Sequence, residues 1–211
     1  MIEILIMQFR FKTLPAIMYD AFFNHLEFKS GEKLTDNERE VIMTVFHRKR
    51  MRKRQFFLQE GDVCKYIGFI VKGSSRMFTV DEKGHEHIMR FGLESWWISD
   101  QESMVNLTPS PYYIEMLEDS ELLVASYPDA VDLRTNSRCF NETIKALDKF
   151  QTIAMQKRIH AAIGMSAEEK FDDLSRTYPQ FLERFPMNMI ASYLGLSPET
   201  ISRIRKMTIR K

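Results

Sequence analysis

Five side chains near the end of the sequence could contact the bases and phosphates of DNA. They are Ser197, Glu199, Thr200, Arg203 and Lys206. A carboxylate at Glu199 can accept a hydrogen bond from the amino group of cytosine, and the Arg203 guanidinium can donate to both major-groove acceptors of guanine. The Lys206 ammonium group suits a phosphate oxygen. Steps of three and four residues separate most of the set, which predicts one polar side of a helix.

The elements that would position this set follow a helix-turn-helix pattern. Gly195 can take the left-handed backbone conformation that ends a first helix. Ser197 is a good N-cap for a second helix, and Pro198 suits its first position. Ala191 is small where the second helix must approach closely. Apolar residues on the inner sides of the two predicted helices are Met187, Ile190, Leu194, Ile201 and Ile204. A short helix that is apolar behind and polar in front suits a DNA major groove.

An ordinary helical hairpin with solvated charges is the alternative interpretation of the same pattern. The local charge favours DNA binding over it. From Phe185 to the end of the sequence there are five basic residues and one acid, Glu199. The coincidence of small, glycine and apolar positions over 20 residues favours DNA binding as well.

Size and charge are typical of a globular protein with a nucleic-acid-binding part. The 211 residues suit one large domain or two modest ones. A hydrophobic content of 44% and an aromatic content of 12% exclude a disordered chain. Residues 1–150 carry 20 basic and 23 acidic residues, a net of −3, whereas residues 151–211 carry 10 and 6, a net of +4. We therefore expect an acidic sensor or scaffold joined to a basic DNA-binding module.

The N-terminal part predicts two helices and a basic run. One helix is expected around Pro15–Phe28, and a second begins near Thr35, whose spacing from Glu38 predicts a capping box. The run Arg48–Arg54 holds six basic residues in seven and could contact nucleic acid, but it is more typical of a solvated edge between a helix and a strand. The opening Met1–Met7 is apolar, short and interrupted by an acid, so it predicts neither a signal peptide nor a membrane span. We expect a cytoplasmic protein.

The middle of the chain, from about Arg54 to Tyr127, predicts an all-β sandwich or barrel. Glycines 61, 73, 84 and 92 separate short segments rich in aromatic and β-branched residues. Asp81–Gly84 predicts a hairpin turn, and His87–Phe91 is the returning strand. Further strands are expected at Tyr66–Val71, Arg76–Val80, Tyr112–Leu117 and Leu122–Ser126.

A long helix is predicted from Asn136 to Ile163, because no proline or glycine interrupts that segment. Positions 140, 144, 147, 151, 154, 158 and 161 alternate in steps of four and three, as in an imperfect heptad seam. About 28 residues would give a helix of ~42 Å, which is long for one small sandwich. We favour a homodimer seam over a packing helix within one monomer. The expected interface residues are Phe140, Ile144, Leu147 and Ala154.

The domain boundaries follow from these elements. Residues 1–135 would form the N-terminal helices and the barrel, residues 136–163 the dimerisation helix, and residues 164–211 the DNA-binding domain. Gly164 ends the long helix, and Ser166 with Glu169 predicts the capping box of the next one. Pro179 and Pro186 are expected to bracket a short connector before the helix-turn-helix.

This order of elements resembles the Crp/Fnr family of bacterial transcription regulators over about Phe56–Lys206. Phe57–Asp62 and Gly68–Gly73 are similar to the start of a cyclic-nucleotide-binding-type barrel, and Asp81–Glu86 is similar to its next hairpin. Ile190–Ile204 is similar to the family's DNA-binding motif. The resemblance implies an α+β fold with an N-terminal antiparallel β jelly roll, a long dimerisation helix and a C-terminal helix-turn-helix domain.

The resemblance also implies roles and partners. Ser197 falls at a phosphate-contacting position, and Glu199 and Arg203 fall at base-reading positions. Pro198 stands where another member of the family has an arginine, so the operator is expected to differ. The implied partners are double-stranded DNA, a second copy of the chain, RNA polymerase and a small-molecule effector of unknown identity.

The region that binds cyclic AMP in some family members departs from their pattern. Those members use a Gly-Glu near a barrel turn and an Arg-Ser or Arg-Thr pair that holds the phosphate. Here the nearest matches are Gly92-Leu93-Glu94 and Ser110-Pro111. Burying a cyclic phosphate without a cationic partner is costly, so we expect no ordinary binding of cyclic AMP. The candidate effector region comprises Gly92, Glu94, Ser110, Tyr112 and Tyr113. The rings here, with Trp96 and Trp97, are more typical of barrel core or surface than of a changed pocket.

Other chemistry is weakly indicated. His85 and His87 alternate on a predicted strand without a convincing third ligand, so no metal site is expected. Cys64 and Cys139 are too few for an iron–sulfur cluster and suit ordinary thiols in a reducing compartment, so no cofactor is expected. Paired catalytic residues are lacking, and we expect no enzyme. The main alternative function is a small-molecule-binding barrel module with weak or lost DNA binding.

Overall fold

A computed structural model describes residues 18–208, which form two compact units. The first unit comprises the described residues up to Met77 together with Phe91–Asp148. The second comprises Phe78–Arg90 and the residues from Lys149 onwards. The opening segment Met1–Met7, for which neither a signal peptide nor a membrane span is predicted, lies outside the described residues. Within residues 18–208, no helix is both long and apolar enough to cross a membrane.

Eight strands form two four-stranded sheets with the strand order of a jelly roll. The strands are β1 (His47–Met51), β2 (Phe56–Leu58), β3 (Tyr66–Lys72), β4 (Ser75–Val80), β5 (Glu86–Gly92), β6 (Trp97–Ile98), β7 (Tyr113–Met116) and β8 (Ser120–Ser126). One sheet has the order β1-β8-β3-β6 and the other has the order β2-β7-β4-β5. The predicted turn at Asp81–Gly84 joins β4 to β5, with the Asp81 and Gly84 backbones hydrogen-bonded at 2.9 Å.

Alternating side chains of the two sheets form the core of the first unit. Ile70 and Leu122 from one sheet and Ile114 and Met116 from the other are buried in one cluster, with at most 2% of their surface exposed. At about 20–33 cal/mol per Å² of apolar surface, burial of this kind is the main favourable contribution to the stability of such a fold.

A second cluster lies where helices cover the outer face of the β1-β8-β3-β6 sheet. These helices are α1 (residues 18–30), α2 (Asp36–Val45), α4 (Tyr127–Asn136) and the start of α5 (Arg138–Gly164). Phe22, Phe46 and Phe140 pack there with Phe69 and Trp97 of the sheet. The predicted capping box of α2 is confirmed, because Thr35 and Glu38 exchange side-chain and backbone hydrogen bonds.

The first part of the basic run lies in a strand and not between a helix and a strand, whereas Arg52–Arg54 follow that strand and are exposed. His47–Met51 pairs antiparallel with β8, and Arg48 donates to the Glu121 carboxylate at 2.7 Å. Lys49 lies 5.7 Å above the Phe57 ring. Lysine and arginine suit this place, because β1 is the end strand of its sheet and its outer side faces solvent.

Helices make up most of the second unit. After the second half of α5 come α6 (Ala167–Thr177), α7 (Pro179–Arg184), α8 (Met187–Leu194) and α9 (Pro198–Thr208). Ser166 and Glu169 form the predicted capping box. The segment expected to be a connector is a short helix instead, since Pro179 is tolerated in the first turn of α7.

Candidate nucleic-acid interface and candidate effector region

The turn between α8 and α9 positions the predicted DNA-binding residues. Gly195 ends α8 with φ 67°, in the left-handed conformation predicted for it. The Ser197 hydroxyl accepts a 3.2 Å hydrogen bond from the Thr200 amide and so caps α9. The same hydroxyl lies 3.1 Å from the Thr200 hydroxyl. The Thr200 side chain is thereby held in the first turn of α9.

The inner side of α9 is buried against the other helices of the unit. Ile201 and Ile204 are 0% and 2% exposed and cluster with Phe171 of α6 and Ala191 of α8. Ala191 is fully buried, as its predicted place at a close helix crossing requires. This packing fixes which side of α9 can face a partner.

The outer side of α9 carries the charged members of the predicted set. Glu199, Arg203 and Lys206 are exposed, and they lie on the side opposite Ile201 and Ile204. Thr200 is half-buried beside them. Hydrogen bonds from its own backbone amide and from Ser197 lower the pKa of the Glu199 carboxyl, so this side chain is an acceptor at neutral pH. The helix therefore presents acceptor and donor groups together, as base recognition requires.

In the candidate effector region, Gly92 and Glu94 pack closely against the turn between β3 and β4 and the start of β4. A Cβ atom at Gly92 would lie 2.4 Å from the Ser75 hydroxyl, so the backbone there approaches its neighbour closely. The Glu94 carboxylate accepts a 2.9 Å hydrogen bond from the Gly73 amide. The carboxylate is thus engaged with the backbone of the β3–β4 turn.

Ser110 lies in a separate buried network whose centre is Asp100. The Ser110 hydroxyl donates a 2.7 Å hydrogen bond to the Asp100 carboxylate and accepts one from the Tyr112 amide at 3.1 Å. Asp100 is 4% exposed and also caps the helix α3 (Gln101–Asn106) through the Ser103 amide. Sequence reasoning missed Asp100, although the Asp-x-x-Ser spacing is a helix N-cap signal that could have identified it.

The aromatic residues of this region have different surroundings. Trp97 is buried in the helix-covered core and donates from its indole nitrogen to His25 Nε2 at 3.2 Å, so it is a core residue. Tyr113 is half-buried against Phe56, with ring centroids 5.7 Å apart. A hydrogen bond to Glu60 raises the pKa of the Tyr113 hydroxyl.

The residues predicted for the dimer seam divide into two groups. Phe140 is 0% exposed inside the chain's own core, so its expected contact with a partner is wrong. Ile144 and Leu147 are half-buried against the same core. Ala154 is exposed on the second half of α5. The first part of the heptad pattern, from Phe140 to Leu147, marked the side of the helix that packs on its own domain. Both kinds of contact require apolar residues at the same spacing.

Comparisons with known proteins agree with this architecture. Residues 48–137 match the model of the cyclic nucleotide-binding domain. The chain is 29% identical over 183 residues to the regulatory protein HlyX of Actinobacillus pleuropneumoniae, covering 81% of this chain and 75% of HlyX.

Solved structures share the fold. FixK2 from Bradyrhizobium japonicum superposes with a TM-score of 0.63 at 16% identity, covering 77% of this chain and 84% of FixK2. A Crp/Fnr-family transcriptional regulator from Eubacterium rectale gives a TM-score of 0.60 at 15% identity, with coverages of 84% and 85%.

The chain thus has a jelly roll of the cyclic-nucleotide-binding type, then a long helix and a helix-turn-helix. The chain carries a cyclic nucleotide-binding domain and is similar in fold to a regulator of the Crp/Fnr family.

Proposed function

We propose that the protein is a sequence-specific DNA-binding transcription regulator that recognises its operator through α9. One observation carries the proposal. Ile201 and Ile204 are buried, so Glu199, Arg203 and Lys206 face outward together from a helix of 11 residues. A helix of this length fits a major groove, and its exposed side offers the groups that distinguish bases. The name of HlyX as a regulatory protein supports the same function.

The roles of the exposed residues follow from their chemistry. Arg203 donates to guanine and Glu199 accepts from cytosine, while Lys206 and Ser197 contact phosphates. Thr200 supports the helix start through Ser197 and lies beside the base-contacting pair.

Binding should be tested on DNA selected from genomic fragments by the purified protein. A specific regulator enriches a common sequence, and its affinity falls steeply with salt because counterions are released from the phosphates. Retention of random and enriched fragments alike at every salt concentration would contradict the proposal and favour the barrel-only alternative.

We further propose a homodimer through the second half of α5. Several large apolar side chains there are exposed on the single chain: Phe150, Ile153, Met155, Ile159 and Ile163. Ile163 is 83% exposed and Met155 is 62% exposed. Such a set is costly to leave in water and suits a second copy of the same helix. A two-fold dimer would also present two recognition helices to successive turns of DNA, ~34 Å apart.

The sensing role is proposed to be independent of cyclic AMP. A buried carboxylate, Asp100, holds the hydroxyl of Ser110, which stands where a phosphate-binding pair is expected. This arrangement disfavours a second anion. An effector would therefore be another small molecule at the region of Gly92, Glu94, Ser110, Tyr112 and Tyr113. We also propose a cytoplasmic, non-enzymatic protein that acts with RNA polymerase.

A further inference from the structure

Strand β5 is an end strand, and the helix-turn-helix occupies part of its free edge. The Ser192 hydroxyl of α8 accepts a 2.9 Å hydrogen bond from the Ile88 amide and donates a 2.9 Å bond to the Glu86 carbonyl. Backbone groups two residues apart on a strand point to the same side. One side chain therefore takes the place of a neighbouring strand at this point of the sheet.

Arg158 of α5 joins the same three elements. Its guanidinium donates to the Ile88 carbonyl at 3.2 Å, to the Tyr193 carbonyl at 3.3 Å, and to the Met89 carbonyl. It also lies 4.5 Å above the Tyr193 ring. Arg158 interrupts the apolar pattern of α5, and these contacts account for its place there. All of these residues belong to the second unit.

Many proteins cover an end strand and so prevent it from pairing with another chain. Water could also satisfy the backbone groups of such a strand. Two features distinguish this contact. Ser192 uses its donor and acceptor capacity on two defined backbone groups, and Arg158 bonds to carbonyls of both β5 and α8. Ala191, next to Ser192, is packed against Ile201 of α9. The orientation of α9 is therefore tied through α8 to α5.

We infer that Ser192 and Arg158 are positioning residues for DNA recognition: they fix the recognition helix relative to the second half of α5 and so set the separation of the two recognition helices in the dimer. The inference rests on the proposed function. Neither residue needs to contact DNA. Their effect is to remove rotational freedom that would otherwise be lost on binding to the operator.

The contact itself can be measured without DNA, by amide hydrogen exchange followed by NMR. Ser192→Ala should speed exchange of the Ile88 amide about fivefold, since one hydrogen bond of ordinary strength is lost. Ser175→Ala is the matched control, because Ser175 donates only to the Phe171 carbonyl within α6. Equal exchange at Ile88 in wild type and Ser192→Ala would overturn the inference.

The functional test uses a series of operators whose two half-sites are separated by one base pair more or less at each step. Ser192→Ala and Arg158→Lys should bind the best-spaced operator about tenfold more weakly and should discriminate less between spacings. Their affinity for a single half-site should stay at the wild-type value. Lys157→Ala, an exposed neighbour of Arg158, should keep the wild-type profile.

Each result has one meaning. A flattened spacing profile with unchanged half-site affinity supports the inference. A wild-type profile overturns it, and so does increased affinity, because the contact would then be inhibitory. A uniform loss on all DNA, half-sites included, also overturns it by indicating general damage to the fold. If wild-type protein enriches no operator at all, the proposed function fails instead.

Discussion

The Ser110 hydroxyl donates its hydrogen bond to Asp100, a buried carboxylate 2.7 Å away. That carboxylate also caps α3, so it accepts hydrogen bonds from both Ser110 and the first turn of a helix. An anionic ligand beside Ser110 would meet a negative charge and a hydroxyl whose donor is already in use.

Cyclic AMP should therefore show no saturable binding at millimolar concentration. The expectation follows from the desolvation of a phosphate beside Asp100 without a compensating cation. Isothermal titration calorimetry checks it, with a regulator known to bind cyclic AMP as the positive control. A dissociation constant in the micromolar range would refute this prediction.

Arg203→Ala should weaken operator binding by about 1.5 to 4 orders of magnitude. A bidentate contact to guanine contributes about 1–3 kcal/mol, and a dimer makes it twice. Folding should be unaffected, because Arg203 is exposed. Fluorescence titration of operator and scrambled DNA gives both affinities.

Lys206→Ala serves as the comparison for Arg203. Loss of a phosphate contact should weaken operator and scrambled DNA alike and make the salt dependence shallower. If Arg203→Ala also lowered both affinities equally, Arg203 would be a phosphate contact and not a base contact.

Met155→Asp combined with Ile159→Asp should convert the dimer to a monomer of 25.0 kDa. Both side chains are more than half exposed on the single chain, and they lie one helical turn apart. Two buried acids would oppose their copies across a two-fold axis. Light scattering at tens of micromolar gives the mass. Gln156→Asp with His160→Asp has the same spacing and charge on neighbouring polar positions, and it should remain dimeric.

His25 should make the protein less stable as the pH falls. Burial, and then the charge of Lys29, lower the His25 pKa from 6.5 to about 4. The unfolded chain therefore binds the proton more readily between these values, and the free energy of unfolding falls as pH falls from about 6.5 to about 4. Through His25 alone, the free energy of unfolding changes by at most about 1.4 kcal/mol per pH unit.

The variant His25→Gln isolates this contribution. Glutamine can still accept from the Trp97 indole nitrogen but does not titrate. Urea unfolding at several pH values should show the variant gaining stability relative to wild type as the pH decreases from 6.5 to 4.5. Parallel curves for the two proteins would mean that His25 does not titrate in this range.

Gly73→Ala should destabilise the jelly roll by about 1–3 kcal/mol or more. Gly73 has φ 106°, and an added Cβ atom would lie 2.2 Å from the Ser120 hydroxyl. Gly61→Ala is the control, since Gly61 has φ 87° but open space around it. Thermal unfolding of both variants separates the clash from the backbone strain. An equal loss in both would show that the contact with Ser120 relaxes freely.

Local signals predicted the helices of the second unit well. Three local features set the ends of these helices: the capping box at Ser166, the left-handed Gly195 and the N-cap at Ser197. Each depends only on residues a few positions away, so it can be recognised in the sequence. The inner and outer sides of α9 could be predicted for the same reason.

Features that depend on distant partners could not be predicted in this way. A basic run gives no strand signal, and β1 forms because β8 supplies its hydrogen bonds and Glu121 its charge partner. Phe140 carries the same apolar signal in either environment, whether it packs on its own domain or on a second copy. Ser192 and Glu86 are brought together across more than a hundred residues, with no local pattern to mark them.

The charges along β1 also bear on the behaviour of the protein in concentrated solution. Two molecules that met edge to edge at this strand would bring Lys49 and Arg50 of both copies within about 5 Å, the spacing of paired strands. Repulsion at that distance opposes the growth of extended sheets between molecules, which is how fibrils and amorphous aggregates begin. Neutral residues in place of Lys49 and Arg50 would remove that protection while leaving the core of the jelly roll untouched, because both side chains are exposed.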